Sequence, residues 1–170
     1  RLIPTSIEFV DIAGLVKGAH QGEGLGNQFL SHVFAVDALL HVVRCFEDDN
    51  VAHVMGSVDP ARDVEIIATE LLLKDLEIVE RRMEKERKLA KSGDKPAQAL
   101  MAHLTRWKES IGRGRSIRNA GLSPEERPKA CGVELLSSKP VIYIGNVDEA
   151  SLATPGLMAQ RLLEVAKSEG

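Results

Sequence analysis

The run Asp11-Ile12-Ala13-Gly14 puts a glycine three residues after an aspartate that closes the strand-like stretch 6–11. At the carboxyl end of a strand in an open α/β sheet, such a pair faces the crevice where ligands bind. The carboxylate there can hold Mg²⁺ through water. The Gly14 amide can reach a terminal phosphate with no side chain intervening. About 130 residues later, Asn146-Val147-Asp148-Glu149 ends another apolar run. It has the layout of the purine-reading motif N-K-x-D, with Val in place of Lys and Glu in place of Asp. Each motif alone is weak, because many strands end in Asp and many turns contain Gly or Asn. Both at strand ends, in this order and with a strand between them, point to a nucleotide site.

The elements that must position these residues are written in the periodicity. Gly14, Gly18, Gly22, Gly24 and Gly26 mark a mobile loop after the first strand. A helix is expected over 25–36, with Phe29, Leu30 and Val33 on one face. Residues 38–43 form a continuous apolar run, which fits a strand buried on both faces of a helix-covered parallel sheet. From 63 to 91 there is neither Gly nor Pro, so one long helix is expected. Its Leu72, Leu76, Val79 and Met83 recur at the spacing of a coiled-coil seam. A turn over 92–96 leads to a second helix over 97–111, and the two should pair as an antiparallel hairpin. A Gly/Arg-rich link over 112–121 ends this insertion. Ser123-Pro124-Glu125-Glu126 reads as a capping box, but Pro128 inside the next turn removes a backbone bond, so a short or bent helix is expected. A further buried strand over 139–144 and a closing helix over 156–167 complete the chain. Strand–helix–strand, helical insertion and strand–helix together make part of an α/β domain with a mostly parallel sheet.

The totals bound what this domain can be. The 170 residues, 44% hydrophobic and 28% charged, suit one soluble domain with an insertion. No apolar run approaches the roughly 20 residues a bilayer demands, and no membrane partner is expected. Cys45 and Cys131 form no CxxC pair, so neither zinc nor a disulfide framework follows, and a reducing cytoplasm is expected. The start at Arg1, hard against a strand-like run, is expected of an interior piece. The net charge of −3 hides an asymmetry: residues 81–118 hold 12 Lys+Arg and 4 Asp+Glu, a local +8. A basic segment of that kind attracts nucleic-acid phosphate, with a solvated helix pair as the alternative.

Residues 11–20, Asp11-Ile12-Ala13-Gly14-Leu15-Val16-Lys17-Gly18-Ala19-His20, followed by Gly22-Glu23-Gly24-Leu25-Gly26-Asn27-Gln28-Phe29-Leu30, resemble the switch II segment of the Obg-like ATPase (YchF) family. The stretch from His41 to Asp48, the Val58-Asp59-Pro60 turn and an N-x-x-E base motif are similar to that family too. The resemblance covers nearly the whole chain. It implies a P-loop GTPase-type domain interrupted by a helical coiled-coil hairpin, with ATP hydrolysis, Mg²⁺ and ribosome association. On that basis 1–57 and 122–170 are expected to be parts of the G domain and 58–121 the hairpin insertion. Ribosome or rRNA contact is expected through the basic hairpin at 81–118. No G-x-x-x-x-G-K-[ST] occurs in the 170 residues, so the phosphate-cradling amides and lysine are not in this chain.

The resemblance assigns Asp11 and Gly14 to Mg²⁺ and phosphate, and Asn146, Val147 and Glu149 to the base. Leu15 stands where many GTPases carry a water-orienting Gln, and a leucine cannot hydrogen-bond water. His20 on the same loop is the candidate replacement, with a pKa range suited to proton handling; a solvated loop histidine is the alternative. His41 lies in an apolar run, and His32, His53 and His103 show no partner pattern. Glu47-Asp48-Asp49 reads as a solvated loop rather than a metal site. A GTP-specific hydrolase and a non-catalytic RNA- or ribosome-binding module are the competing readings.

Base choice is testable from these residues alone. Guanine offers two donors that a correctly placed aspartate accepts together, and at Glu149 the carboxylate sits one methylene further out. A site built for such a pair loses several kcal/mol when a buried group goes unmatched. Paired ADP and GDP titrations of the full-length protein, wild type and Glu149→Asp, should therefore show no strong guanine selectivity in the wild type. Wild-type binding of GDP a hundredfold tighter than ADP would defeat this expectation.

Overall fold

A computed structural model describes residues 6–12, 25–53 and 55–169, with only the backbone described for 25–29. Helix α1 (Leu25–Ala35) precedes strand β1 (Leu39–Arg44), and the long helices α2 (Pro60–Lys91) and α3 (Lys95–Gly112) follow. Short 3₁₀ turns then lead into strand β2 (Val141–Asn146) and helix α4 (Leu157–Glu169). β1 and β2 pair in parallel from Leu39↔Val141 to Arg44↔Asn146. The helical hairpin is thus carried on the crossover between two neighbouring parallel strands.

Local chemistry accounts for the hairpin. Asp59 caps α2 by accepting from the Ala61 and Arg62 amides at 3.2 and 3.3 Å, and Pro60 follows at the first helical position. Thirty-two residues later Ser92 ends the helix, and Gly93 turns the chain at φ +92°, a left-handed conformation glycine adopts without a Cβ clash. Asp94 caps α3 by accepting from the Ala97 amide at 2.8 Å. α3 begins two residues earlier than the periodicity indicates, taking in Pro96, because the first turn has no intrahelical use for the missing N–H. Gln98 donates to the Ala90 carbonyl at 3.1 Å, and Lys108 pairs with Glu80 at 2.7 Å. Contacts that move outward along one helix as they move inward along the other define an antiparallel pair. The seam residues Leu72 and Val79 are buried against Leu104, Trp107 and Ile111, with Leu76 and Met83 half-buried beside them. Trp107 satisfies its indole N–H on the Glu126 carbonyl at 3.1 Å.

The capping-box segment forms two short 3₁₀ turns, Pro124–Glu126 and Pro128–Cys131, the short alternative of the helix expected there. Arg127 between them is extended, with ψ 139°, as the residue before a proline prefers. Residues 6–12 contain no strand, and Ile7 and Phe9 are 79% and 75% exposed. Their backbone groups have no partner in the two-stranded sheet, and an apolar run without a neighbouring ladder does not stay a strand. Among the described residues the sheet itself is covered on one face only. Val43 is buried with Cys45 against Val64 of α2 and Leu162 of α4, whereas Leu40, Val42, Ile142 and Ile144 stay exposed, although both runs read as buried on both sides.

One carboxylate ties these parts together. Asp75, midway along α2, is fully buried and accepts the amide N–H groups of Leu136 and Ser137 at 2.6 and 2.8 Å. These residues open the 3₁₀ turn Leu136–Ser138 just before β2. The Ser137 hydroxyl in turn accepts from the Ile117 amide at 3.2 Å. Nearby, the Lys139 ammonium donates to the Phe34 and Val36 carbonyls at 2.8 and 2.6 Å, capping the end of α1 where a cation meets the negative pole of the helix.

Burial pushes the Asp75 carboxyl up to about 6, against the opposing hydrogen bonds from Ser137 and Leu136 and the charge of Lys139. A folded pKa above the unfolded one favours folding below the unfolded value near 3.8, and this contribution disappears as pH rises through about 6. A shift of this size corresponds to about 3 kcal/mol. Urea unfolding of wild type and Asp75→Asn between pH 4 and pH 7 should therefore give a stability difference that moves against the wild type as pH rises. A difference independent of pH would show that Asp75 does not titrate in the buried state.

Candidate functional site

The parallel register brings Arg44 and Asn146 side by side at the carboxyl ends of β1 and β2, and the Cys45 amide donates to the Asn146 carbonyl at 2.7 Å. The strand ends are thus locked in level, and two loops leave from the same point. Gly145 permits this packing: a Cβ there would meet Leu162 of α4 at 3.2 Å and the Cys45 sulfur at 3.5 Å. The Asn146 side chain is exposed and Val147 is half-buried, packed against the cluster of Val43, Cys45, Val64 and Leu162. Glu149, exposed, begins the 3₁₀ turn Glu149–Ser151. Among the described residues, neither the Asn146 amide group nor the Glu149 carboxylate is engaged in a hydrogen bond with another side chain.

The four-residue motif divides its labour in a way that periodicity does not reveal. Asp148 accepts from the Ser151 amide at 2.8 Å, and its hydrogen bonds from Ser151 hold its carboxyl below the usual range. Asp148 is therefore spent on the turn, whereas the Asn146 and Glu149 side chains stay exposed. The signal was present as an Asp three residues before a Ser, the spacing of a side-chain cap.

The neighbouring loop over 46–51 is organised by Arg44. Its guanidinium donates to the carbonyls of Phe46, Val51 and Asp48 at 3.0, 2.8 and 3.2 Å and lies over the Phe46 ring, 4.6 Å from its centroid. Glu47, Asp48 and Asp49 are exposed, in keeping with a solvated loop, and Asp48 accepts from the Asn50 backbone and side-chain amides at 2.9 and 3.0 Å. Two histidines acquire surroundings that the sequence pattern does not show. His53 meets Asp63 at 3.0 Å, and His103 stacks near Trp107 with centroids 6.2 Å apart. His41 lies beside Tyr143, and burial lowers its pKa, offset in part by the charge of Asp63.

Of the phosphate-side candidates, Asp11 alone lies within the described residues. Gly14, Leu15 and His20 lie outside the described residues. Asp11 is exposed, and its neighbour Ile12 packs with Leu30, Val33, Leu71, Leu136 and Leu39. That cluster lies at the amino ends of both strands, since Leu39 opens β1 and Leu136 precedes β2. Asn146 lies at the opposite, carboxyl ends. Among the described residues no three His, Cys, Asp or Glu side chains are grouped to hold a metal ion. A single carboxylate at Asp11 suits a Mg²⁺ that keeps its waters and leans on phosphate oxygens, not a protein cage.

The sequence matches the family described as 50S ribosome-binding GTPase over residues 2–89. It is 47% identical over 155 residues to the ribosome-binding ATPase YchF of Bacillus subtilis (strain 168), covering 91% of this chain and 42% of that protein. It is 46% identical over 170 residues to the protein of the same name in Escherichia coli O157:H7, covering 100% of this chain and 47% of the relative. The structure of the Schizosaccharomyces pombe YchF GTPase aligns with a TM-score of 0.70 at 39% identity, over 92% of this chain and 42% of that one. The chain thus spans less than half the length of the relatives it matches.

Arg44→Met tests the loop architecture. Losing three hydrogen bonds from a charged, partly exposed donor should lower the unfolding free energy by about 1–2 kcal/mol. Amide exchange over 46–51 should quicken while that of Val42 and Val43 stays unchanged. An unaltered unfolding midpoint together with unaltered loop protection would show that the loop holds itself.

Proposed function

We propose, given that this chain belongs to the 50S ribosome-binding GTPase family as a YchF-type (Obg-like ATPase) member, that it is part of an enzyme transferring the terminal phosphoryl group of ATP to water at the ribosome. The observation carrying this reading is the similarity, over 91–100% of this chain, to proteins named ribosome-binding ATPase. The free Asn146 and Glu149 side chains at the carboxyl end of β2 support it, for this is where α/β sheets take their ligands. Residues 1–57 and 122–170 act as G-domain parts and 58–121 as a hairpin set between them, in the cytoplasm. GTP is the second substrate reading, favoured by the naming of the fission-yeast relative as a GTPase.

Phosphoryl transfer needs positioning and charge stabilisation more than covalent help from the protein. Asn146 hydrogen-bonds the purine, Glu149 limits guanine selectivity, and Val147 presents an apolar side chain where a lysine stem would lie along the base. Asp11 holds Mg²⁺ through water, and the Gly14 amide meets the terminal phosphate. The metal, when bound, neutralises phosphate charge. Leu15 cannot orient the attacking water, so His20 manages its proton. The 170 residues alone, without a G-x-x-x-x-G-K-[ST] loop, do not turn over nucleotide.

The hairpin supports the ribosomal half of the reading in a specific way. Arg82, Arg106, Lys108 and Arg118 pair with Glu86, Glu126, Glu80 and Glu169, which absorbs part of the local positive charge. Arg87, Lys88, Lys91 and Lys95 stand exposed around the 92–94 turn and form no ion pair among the described residues. A basic tip on a long arm suits sequence-independent contact with RNA phosphate.

His20→Ala in the full-length protein separates the chemical role from binding. Acid–base help is worth roughly 10²–10⁴-fold where it operates, so the single-turnover rate should fall by about that factor while ATP affinity changes far less. An unchanged rate returns His20 to the status of a loop residue. A full-length protein that hydrolyses neither ATP nor GTP overturns the enzymatic reading altogether.

A further inference from the structure

The four residues 136–139, just before β2, are held from three directions. Asp75 of α2 takes the Leu136 and Ser137 amides at 2.6 and 2.8 Å. The Ser137 hydroxyl takes the Ile117 amide from the chain leaving α3. The ammonium of Lys139, 9% exposed, donates to the Phe34 and Val36 carbonyls at the end of α1 and to Glu134 at 3.1 Å. α1 continues in sequence from the run that begins at Asp11, and β2 ends in the Asn146–Glu149 motif. Ile12, beside Asp11, packs in one cluster with Leu30 and Val33 of α1 and with Leu136, so the neighbour of one proposed site residue and the strand that ends in Asn146 both meet the segment that carries Lys139.

We propose that Lys139 is a positioning residue that couples the nucleotide state to the helical hairpin, with Asp75 as the point where the movement enters α2. The coupling rests on the nucleotidase and ribosome reading given above. A displacement of α1 pulls on an ammonium that is nearly buried, so water poorly replaces its two carbonyl partners, and leaving donors of a buried charged group unmatched is costly even with Glu134 still paired. The segment 136–139 therefore moves with α1. The paired amides move with it and carry the Asp75 carboxylate along. Asp75 lies 16 residues before the end of α2 at Lys91, about 24 Å at the helical rise, so a small tilt at the junction becomes a larger excursion of the basic tip. Packed junctions of this kind switch between discrete arrangements and do not deform continuously.

The test uses the full-length protein, a non-hydrolysable ATP analogue, ADP and purified ribosomes. Wild type should bind ribosomes with affinities differing at least about fivefold between the two nucleotides, within the usual range of coupling between sites. Lys139→Met should bring that ratio close to one while nucleotide affinity changes less than about threefold, and Lys139→Arg, which keeps the charge and donors, should restore part of it. A purely structural lysine would change unfolding without changing the ratio. A Lys139→Met protein with the wild-type ratio overturns the coupling and leaves the ATPase reading untouched, as does a wild type that binds nucleotide but shows no difference between the two states. A wild type that binds no nucleotide overturns both. Should Lys139→Met fail to fold, amide exchange on the wild type decides. Protection of Leu136 and Ser137 must differ between the two nucleotide states, and equal protection overturns the proposal.

Discussion

A buried carboxylate needs partners that replace water, and Asp75 finds them in two consecutive backbone amides of a distant turn. An unpaired charge in that position would be strongly destabilising, so the long helix and the segment before β2 are held in one relative placement. Nonpolar packing alone would tolerate sliding between α2 and the residues it covers. Two directional hydrogen bonds into one turn do not. The Val79, Leu104 and Trp107 core on one side and the Leu71 and Leu136 cluster on the other are assembled around this fixed point.

The same junction sets the level of the sheet. Lys139 caps α1, the Pro140 carbonyl accepts from the Leu39 amide at 2.9 Å, and the ladder runs in register to Arg44 and Asn146. A parallel ladder displaced by one residue would turn every side chain to the opposite face. Val43 would then leave the cluster it shares with Cys45 and Leu162, and the base-motif residues would no longer emerge beside the loop that Arg44 organises.

Paired and unpaired cations are kept apart along the hairpin. Near the body of the molecule, Arg118 pairs with Glu169 and lies by Tyr143, while Arg106 pairs with Glu126 beside the Trp107 hydrogen bond. These cations hold the chain together after α3. Exposed ion pairs contribute little to stability, so leaving the cations at the tip unpaired costs the fold almost nothing.

The hairpin was written in local terms: the Val58-Asp59-Pro60 turn before it, the turn over 92–96 within it, and the seam of Leu72, Leu76, Val79 and Met83. Each of these acts within a turn or two of chain, which is why its residue types announce it. The D-x-x-G and N-x-x-E runs and the family resemblance were equally legible, because they are contiguous. What the tertiary structure decided lies across distance. Asp75 is one of many acids on α2 until it meets amides 61 and 62 positions away, and Lys139 is an ordinary lysine until it reaches carbonyls 105 and 103 positions away. The same logic decides against a strand at residues 6–11, whose apolar residues promise one that only a neighbouring ladder can hold. Side-chain type sets what a group can do within its own turn. Whether a buried charge or an open backbone edge finds its partner is settled only when remote parts of the chain meet.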